Sequence, residues 1–214
     1  HMLGIKYLTK QDIDLIFQTA DNFKKIINQS IKKVPSLRDV TIANLFFENS
    51  TRTKLSFELA EKRLSADVIN LDIPTSSQSK GESIFDMVDN LIAMGTDIFV
   101  VRHPEAGVPN KIANHVASNI HIINGGDGSN AHPTQGLLDA FTIRKFKKNF
   151  STLKIAIVGD IQHSRVAKSE INVLSTLGAK EIRVIGPKSL MPDNIDQLKV
   201  KVFHTMEKGL KDVD

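Results

Sequence analysis

The chain has 214 residues, which at about 100 to 200 residues per domain means one or two domains and enough length for a sizeable core. Hydrophobic residues at 41% and charged ones at 24% exclude disorder, collagen and coiled coil, and the most apolar run, Ile98 to Val101, falls far short of the roughly 20 residues a membrane span needs, so a soluble protein is expected. The 28 Lys+Arg against 24 Asp+Glu leave a net charge of +4, too little to argue for a nucleic-acid partner but suited to small anionic ligands.

In chain order, His1-Met2 reads as a cleaved-tag scar and is left out of the fold reasoning. Apolar residues at helical spacing predict a helix over Lys10 to Lys33, followed by a β-branched and apolar run, Val40 to Phe47, that predicts a strand. Helix and strand patterns then alternate. Helices are expected over Lys54 to Ser65, Glu82 to Met94, Asn110 to Val116, Pro133 to Phe146 and Val166 to Leu177, and strands over Val68 to Ile73, Asp97 to Val101, His121 to Asn124, Lys154 to Val158 and Ile182 to Ile185. The clearest helix carries Ile84, Met87, Val88, Leu91 and Ile92 at i, i+3, i+4, i+7 and i+8, with Gly95 as its stop signal. An amphipathic stretch, His204 to Leu210, leads to Asp212-Val213-Asp214, which reads as the opening of another strand. This is the pattern of parallel βαβ units, hence an α/β fold of two parallel-sheet domains. The boundary is placed near Asn149, giving 3–149 and 150–214, with the second domain incomplete.

The chain contains no cysteine, which excludes a disulfide framework, a thiolate zinc site and a cysteine nucleophile. With no signal-peptide pattern either, a cytoplasmic location is the default. Ligands of parallel α/β folds bind beyond the carboxyl ends of the strands, so the residues following each strand carry the information. After the first strand comes Glu48-Asn49-Ser50-Thr51-Arg52-Thr53. Hydroxyls and free N–H groups at a helix start form an anion site, and Arg52 can add two parallel bonds to a phosphate. The competing reading is that Ser50 or Thr51 merely caps the helix, although a cap needs no cation. After the second strand, Ser76-Ser77-Gln78-Ser79-Lys80-Gly81-Glu82-Ser83 is a polar loop that by itself reads as a solvated linker. The third strand ends in Arg102-His103-Pro104, where Arg102 either reaches the crevice or lies on the surface. The fourth is followed by Gly125-Gly126-Asp127-Gly128 and then His132-Pro133-Thr134-Gln135. A histidine held there beside cations stays largely neutral and donates to a carbonyl oxygen, or it simply caps a helix with Pro133 in its first turn.

After the fifth strand, Gly159-Asp160-Ile161-Gln162-His163-Ser164-Arg165 lacks G-x-G-x-x-G, which argues against a nicotinamide cofactor. No metal-ligand spacing is present, and Glu48, Glu82, Asp127 and Asp160 read as partners of arginines or backbone N–H groups rather than an acid–base pair. Arginines, a lysine, hydroxyls and a histidine at adjacent strand ends describe a site for a dianionic phosphate beside a polarised carbonyl. An acyl or carbamoyl phosphate fits.

At this point the sequence resembles the transcarbamoylases. The motifs are Phe47-Glu48-Asn49-Ser50-Thr51-Arg52-Thr53 with Ser56-Phe57-Glu58, then Lys80-Gly81-Glu82-Ser83, Val101-Arg102-His103-Pro104, Gly126-Asp127-Gly128-Ser129-Asn130 with His132-Pro133-Thr134-Gln135, and Gly159-Asp160 with His163-Ser164-Arg165. The ornithine branch shares the phosphate and histidine-proline motifs; the lysine loop and the Gly-Asp-Gly-Ser-Asn run favour the aspartate branch, and with it the first committed step of pyrimidine synthesis. The resemblance implies that Ser50, Thr51, Arg52 and Thr53 hold the phosphate of carbamoyl phosphate, that Arg102 bridges phosphate and carbonyl, and that Thr53, Arg102 and His132 polarise the carbonyl oxygen. It further implies that Gln135 orients the carbamoyl amine, that Ser76 and Lys80 reach the site of a neighbouring subunit in a homotrimer, and that Arg165 binds a carboxylate of L-aspartate. No metal or organic cofactor is implied, and no membrane or nucleic-acid partner. A regulatory chain or a dihydroorotase stays open as a further partner. The family's chain continues beyond Asp214 into a strand, a loop whose arginine and glutamine complete the acceptor site, and a helix. A phosphate-binding piece without catalysis is therefore the reading that competes with the enzyme.

Overall fold

The computed structural model describes residues 1–72 and 83–214, and forms two compact units, 1–3 with 18–128 and 4–17 with 129–214. The first helix, α1 (Lys10–Ile27), is divided between them. It ends six residues before the expected Lys33, at Asn28-Gln29-Ser30, where polar side chains compete for backbone groups and favour a turn.

The first unit is built on β1 (Thr41–Phe46), β2 (Asp67–Asp72), β3 (Ile98–His103) and β4 (His121–Asp127), all parallel in the order β2-β1-β3-β4. Met2, set aside in the sequence reading, bridges Ile123 on the outer edge of β4, and the Asn124 side chain donates to the Leu3 carbonyl at 2.9 Å. Three helices accompany the sheet: α2 (Thr51–Arg63), α3 (Ile84–Ala93) and α4 (Val108–His115). Residues alternate between faces along each strand. Ala43, Leu45, Phe99, Val101 and Ile122 join Val88 and Leu91 of α3 and Ile112 of α4 in one apolar layer. Ile42, Phe46 and Val100 form another with Phe57 of α2. Ser83 and Asp86 make a reciprocal capping box at the start of α3.

The second unit holds α5 (Pro133–Phe146), β5 (Lys154–Val158), α6 (Arg165–Thr176), β6 (Glu181–Ile185), β7 (Lys201–Phe203) and the single turn α7 (Met206–Gly209). Its sheet is parallel with order β5-β6-β7. Three residues are too few for alternation to register, so β7 has no counterpart among the expected strands. The expected strand at Asp212-Val213-Asp214 does not form; Asp214 instead clips the start of β5, its N–H donating to the Lys154 carbonyl and its carboxylate accepting from the Lys154 N–H. Helices α5 and α6 approach closely because Gly136 lacks a side chain: a Cβ there would stand 2.8 Å from Ile5 Cδ1 and 3.0 Å from Ser169 Cβ. Among the described residues no helix is long and apolar enough to cross a membrane.

Candidate functional site

In the first unit the chemistry-bearing residues gather at the carboxyl ends of β1, β3 and β4. The helix after β1 starts at Thr51, three residues earlier than the periodicity placed it, which puts Thr51, Arg52 and Thr53 in its first turn. Ser50 occupies the N-cap position, yet its side chain makes no capping hydrogen bond. The first N–H groups of a helix lack intrahelical partners, and the dipole favours an anion there. The capping explanation of Ser50 therefore loses its main support, and an exposed arginine, Arg52, stands next to it.

Arg102 is the buried cation of this region. Strand β3 runs on to His103, so Arg102 is a strand residue and only 8% exposed. Opposite it the β3–β4 register slips: Val101 pairs with Asn124 but Arg102 with Gly126, leaving Gly125 as an extra residue. Such a bulge bends the strand and re-aims its groups. Here the Gly125 carbonyl accepts from Arg102 Nη1 at 3.1 Å. The same Nη1 donates to Thr53 Oγ1 at 3.4 Å, and Nη2 pairs with the Glu48 carboxylate at 2.8 Å. Gly126 makes room for the guanidinium: its φ is +141°, and a Cβ would lie 2.9 Å from Arg102 Nη1. Thus the structure brings Thr53 and Arg102 together and aims a guanidinium at the start of α2.

The neighbouring motif residues serve the frame. Asp127 is fully buried and accepts from the Gly107 N–H at 2.6 Å, while the Gly128 N–H donates to the His103 carbonyl at 2.9 Å. His103 Nδ1 accepts from the Glu105 N–H at 2.9 Å, and its ring lies 5.0 Å from that of Phe47. Glu48 and Asp127 are thus partners of an arginine and a backbone N–H, as the sequence suggests; Glu82, Ser76 and Lys80 lie outside the described residues.

The second unit carries the remaining candidates. His132, 8% exposed, is the N-cap of α5 without a side-chain capping bond; its N–H donates to Ser169 Oγ at 2.9 Å, and Pro133 occupies the first turn. Gln135 Nε2 donates to Asp139 Oδ1 at 2.9 Å. Arg165 opens α6, capped by Ser164 Oγ, which accepts from the Ala167 N–H at 3.1 Å. Asp160 accepts from the His163 N–H at 3.0 Å, and this bond with the His163 ring holds its carboxyl below the usual range. Sequence reasoning passed over Asp139 and Glu170. The i, i+4 spacing of Gln135 and Asp139 was the available signal for the first; Glu170 has none, because its neighbour lies on another helix. Burial and Asp139 push the Glu170 carboxyl up to about 7. Among the described residues no group of three or more His, Asp or Glu side chains is arranged to hold a metal.

Residues 1–145 match the family described as aspartate/ornithine carbamoyltransferase, carbamoyl-P binding domain. The chain belongs to the aspartate/ornithine carbamoyltransferase family. Its fold is that of solved aspartate transcarbamoylases. The catalytic subunit of the M. jannaschii enzyme is 35% identical, with a TM-score of 0.85 over 100% of this chain and 71% of that one. The Trypanosoma cruzi enzyme in complex with carbamoyl phosphate and aspartate is 27% identical, with a TM-score of 0.83 over 96% of this chain and 66% of that one. The same enzyme in complex with N-(phosphonacetyl)-L-aspartic acid is 28% identical at a TM-score of 0.83, over 96% of this chain and 69% of that one. The chain therefore spans about two thirds of the length of these relatives.

Proposed function

We propose that this protein transfers the carbamoyl group of carbamoyl phosphate to the amino group of L-aspartate, giving N-carbamoyl-L-aspartate and phosphate, as a step of pyrimidine synthesis. The observation that carries the reading is Arg102 anchored at the β3–β4 bulge with Nη1 on Thr53, beside a helix start whose N-cap side chain makes no capping bond. A dianionic phosphate fits that arrangement of cation, hydroxyls and N–H groups. The solved relatives described with carbamoyl phosphate and aspartate support the choice of substrates.

In this reading Ser50, Thr51, Arg52 and Thr53 hold the phosphate, and Thr53, Arg102 and His132 polarise the carbonyl oxygen while Gln135 orients the carbamoyl amine. Arg165 takes a carboxylate of the acceptor. The amine nitrogen attacks the carbonyl carbon, the π electron pair moves onto oxygen and is stabilised by those donors, and collapse breaks the bond to the phosphate oxygen. The phosphate leaves with the amine proton. Orientation and electrostatic stabilisation supply most of the acceleration. Following the family pattern, Ser76 and Lys80 act in the site of a neighbouring subunit, which calls for a homotrimer. The ranges 3–149 and 150–214 are read as donor and acceptor domains, and the absence of cysteine supports a cytoplasmic setting.

Calorimetric titration with carbamoyl phosphate tests the donor site. Saturable binding is expected, with Arg52→Ala weakening it by roughly tenfold to a hundredfold, the range for a lost charge-assisted bond; near-normal affinity in that variant would overturn the assignment. An assay with aspartate and ornithine side by side decides the acceptor.

A further inference from the structure

A cleft of about 320 Å³ opens in the second unit, lined by Asp139, Ala140 and Ile143 of α5, Ile155 and Val158 of β5, and Glu170 of α6. Two carboxyl groups on different helices meet in an otherwise aliphatic wall. Such a placement is costly unless the pair keeps a proton between them. One end of the pair is tied to a residue with a proposed role, since Asp139 Oδ1 accepts from Gln135 Nε2 at 2.9 Å, and Glu170 lines the same cleft, close enough for Asp139 to raise its carboxyl.

We propose that Glu170 is a positioning residue for Gln135, acting through Asp139. With its proton on, Glu170 donates to Asp139, and the Asp139 carboxylate keeps an oxygen for the Gln135 amide N–H. The amide plane is then fixed, and with it the direction of the Gln135 carbonyl. With the proton gone, two carboxylates face each other without a donor between them. Repulsion swings Asp139 away, and the Gln135 amide loses its anchor.

The surroundings place this change near neutrality. Burial acts first and Asp139 second in lifting the Glu170 carboxyl to about 7. Among the described residues no lysine or arginine pulls it back down. Residues 155–158 of β5 are aliphatic, as are Val173 and Leu174 on α6. On β6, Glu181 and Arg183 pair with each other, and Lys201 of β7 joins them. In the segment Ile5–Tyr7, which packs on α6, Lys6 lies over the Tyr7 ring at 5.0 Å. Arg144 of α5 stacks 4.9 Å from the rings of Phe17 and Phe141, and Lys168 of α6 donates to the Ser129 carbonyl at 2.8 Å.

That Gln135 meets carbamoyl phosphate is the reading of the preceding subsection; the Glu170–Asp139–Gln135 chain stands apart from it, and the experiment separates the two. In nitrogen-15-labelled full chain, the Gln135 side-chain amide, identified by its loss in Gln135→Ala, is followed from about pH 5.5 to about pH 8.5, either side of the Glu170 value. A shift with its midpoint near 7 is expected. Glu170→Gln, isosteric and always a donor, is expected to abolish the step while leaving the melting temperature at pH 6 unchanged. An amide that does not titrate, or that still titrates in Glu170→Gln, overturns the proposal. Carbamoyl phosphate affinity is then compared between wild type and Glu170→Gln at equal pH, which cancels the ionisation of the ligand. Equal affinity at pH 6 and roughly threefold weaker binding by wild type at pH 8 is expected, the scale of one hydrogen bond. A titrating amide with identical affinities at both pH values overturns the positioning role. A titrating amide in a chain that binds no carbamoyl phosphate at any pH upholds the chain of hydrogen bonds and removes the functional reading instead.

Discussion

Strands β1 and β3 of the first unit are buried from their second residue to their last, whereas β5 of the second unit is at best half-buried, ending in a Val158 that is 49% exposed. All three are parallel strands with aliphatic residues at their centres. In the first unit helices fill both faces of the sheet, so a polar group at a strand end must be anchored by the protein itself, and Arg102 is held by Thr53, Glu48 and the Gly125 carbonyl. In the second unit β5 is an edge strand beside an open cleft, and the carboxyl pair of α5 and α6 that lines this cleft is only half-buried. The difference teaches where each unit tolerates change: the first resists substitution around a fixed cation, and the second around the approach of α5 to α6.

The substitution with the largest expected effect is Gly126→Ala. The added Cβ falls 2.9 Å from Arg102 Nη1 at a backbone φ of +141°, so strain and displacement of the guanidinium act together. A loss of about 2 to 3 kcal/mol in stability is expected from the backbone conformation, with carbamoyl phosphate affinity falling alongside. Denaturant melts and calorimetry on the same sample measure both. A variant that binds normally would show that Arg102 finds its place without the bulge.

Gly136→Ala is the corresponding test in the second unit, and its expected effect is smaller. The helical backbone suits alanine, but the methyl meets Ile5 Cδ1 at 2.8 Å and Ser169 Cβ at 3.0 Å. Overpacking of this kind costs about 1 to 3 kcal/mol. Since Ser169 Oγ accepts from the His132 N–H at 2.9 Å, the start of α5 should move as well. Hydrogen exchange at His132 is expected to accelerate, while amides of β1 and β3 stay protected.

These two glycines also mark what the sequence makes legible. The alternation of strand and helix patterns, with Arg52 at the start of one helix, Arg102 at the end of a strand and His132 at the start of another helix, follows from periodicity and composition. The β3–β4 bulge does not, because a one-residue slip of register leaves no local pattern; only the doubled glycine, Gly125-Gly126, hints at it. Nor does the Asp139–Glu170 pair, which depends on how α5 faces α6. Helix ends differ from the periodicity at Asn28-Gln29-Ser30 and at Ser50-Thr51 because the pattern registers apolar residues and these segments carry none. Met2 shows the opposite error: residues set aside as foreign can still add a rung to an edge strand.

The smallest expected effect sharpens the comparison through a second buried acid. Glu61 of α2 is 4% exposed, and its Oε2 accepts from Asn44 Nδ2 at 2.8 Å. Burial raises its carboxyl above the usual range, the Asn44 bond opposing. Where Asp139 is the second cause raising Glu170, the second influence on Glu61 is the Asn44 amide, which lowers it, ahead of Glu58 and Lys62; Asn44 Nδ2 also donates to Asn70 Oδ1 at 3.0 Å. Asn44 Oδ1 and Glu61 Oε1 are both buried without a hydrogen-bond partner among the described residues. A carboxyl raised on folding contributes stability below the ordinary glutamate pKa and loses it as pH rises through the folded value. Glu61→Gln keeps an acceptor for Asn44, adds a donor where two oxygens lack one, and removes the charge. It is expected to raise stability at pH 8 by about 1 kcal/mol, the scale of one buried hydrogen bond gained, and to change little at pH 4, where the wild-type carboxyl is protonated. Thermal melts at the two pH values measure the difference. An equal gain at both would mean that folding leaves the Glu61 carboxyl where it lies in the unfolded chain, and that burial in α2, unlike burial of Glu170 in α6, does not raise an acid.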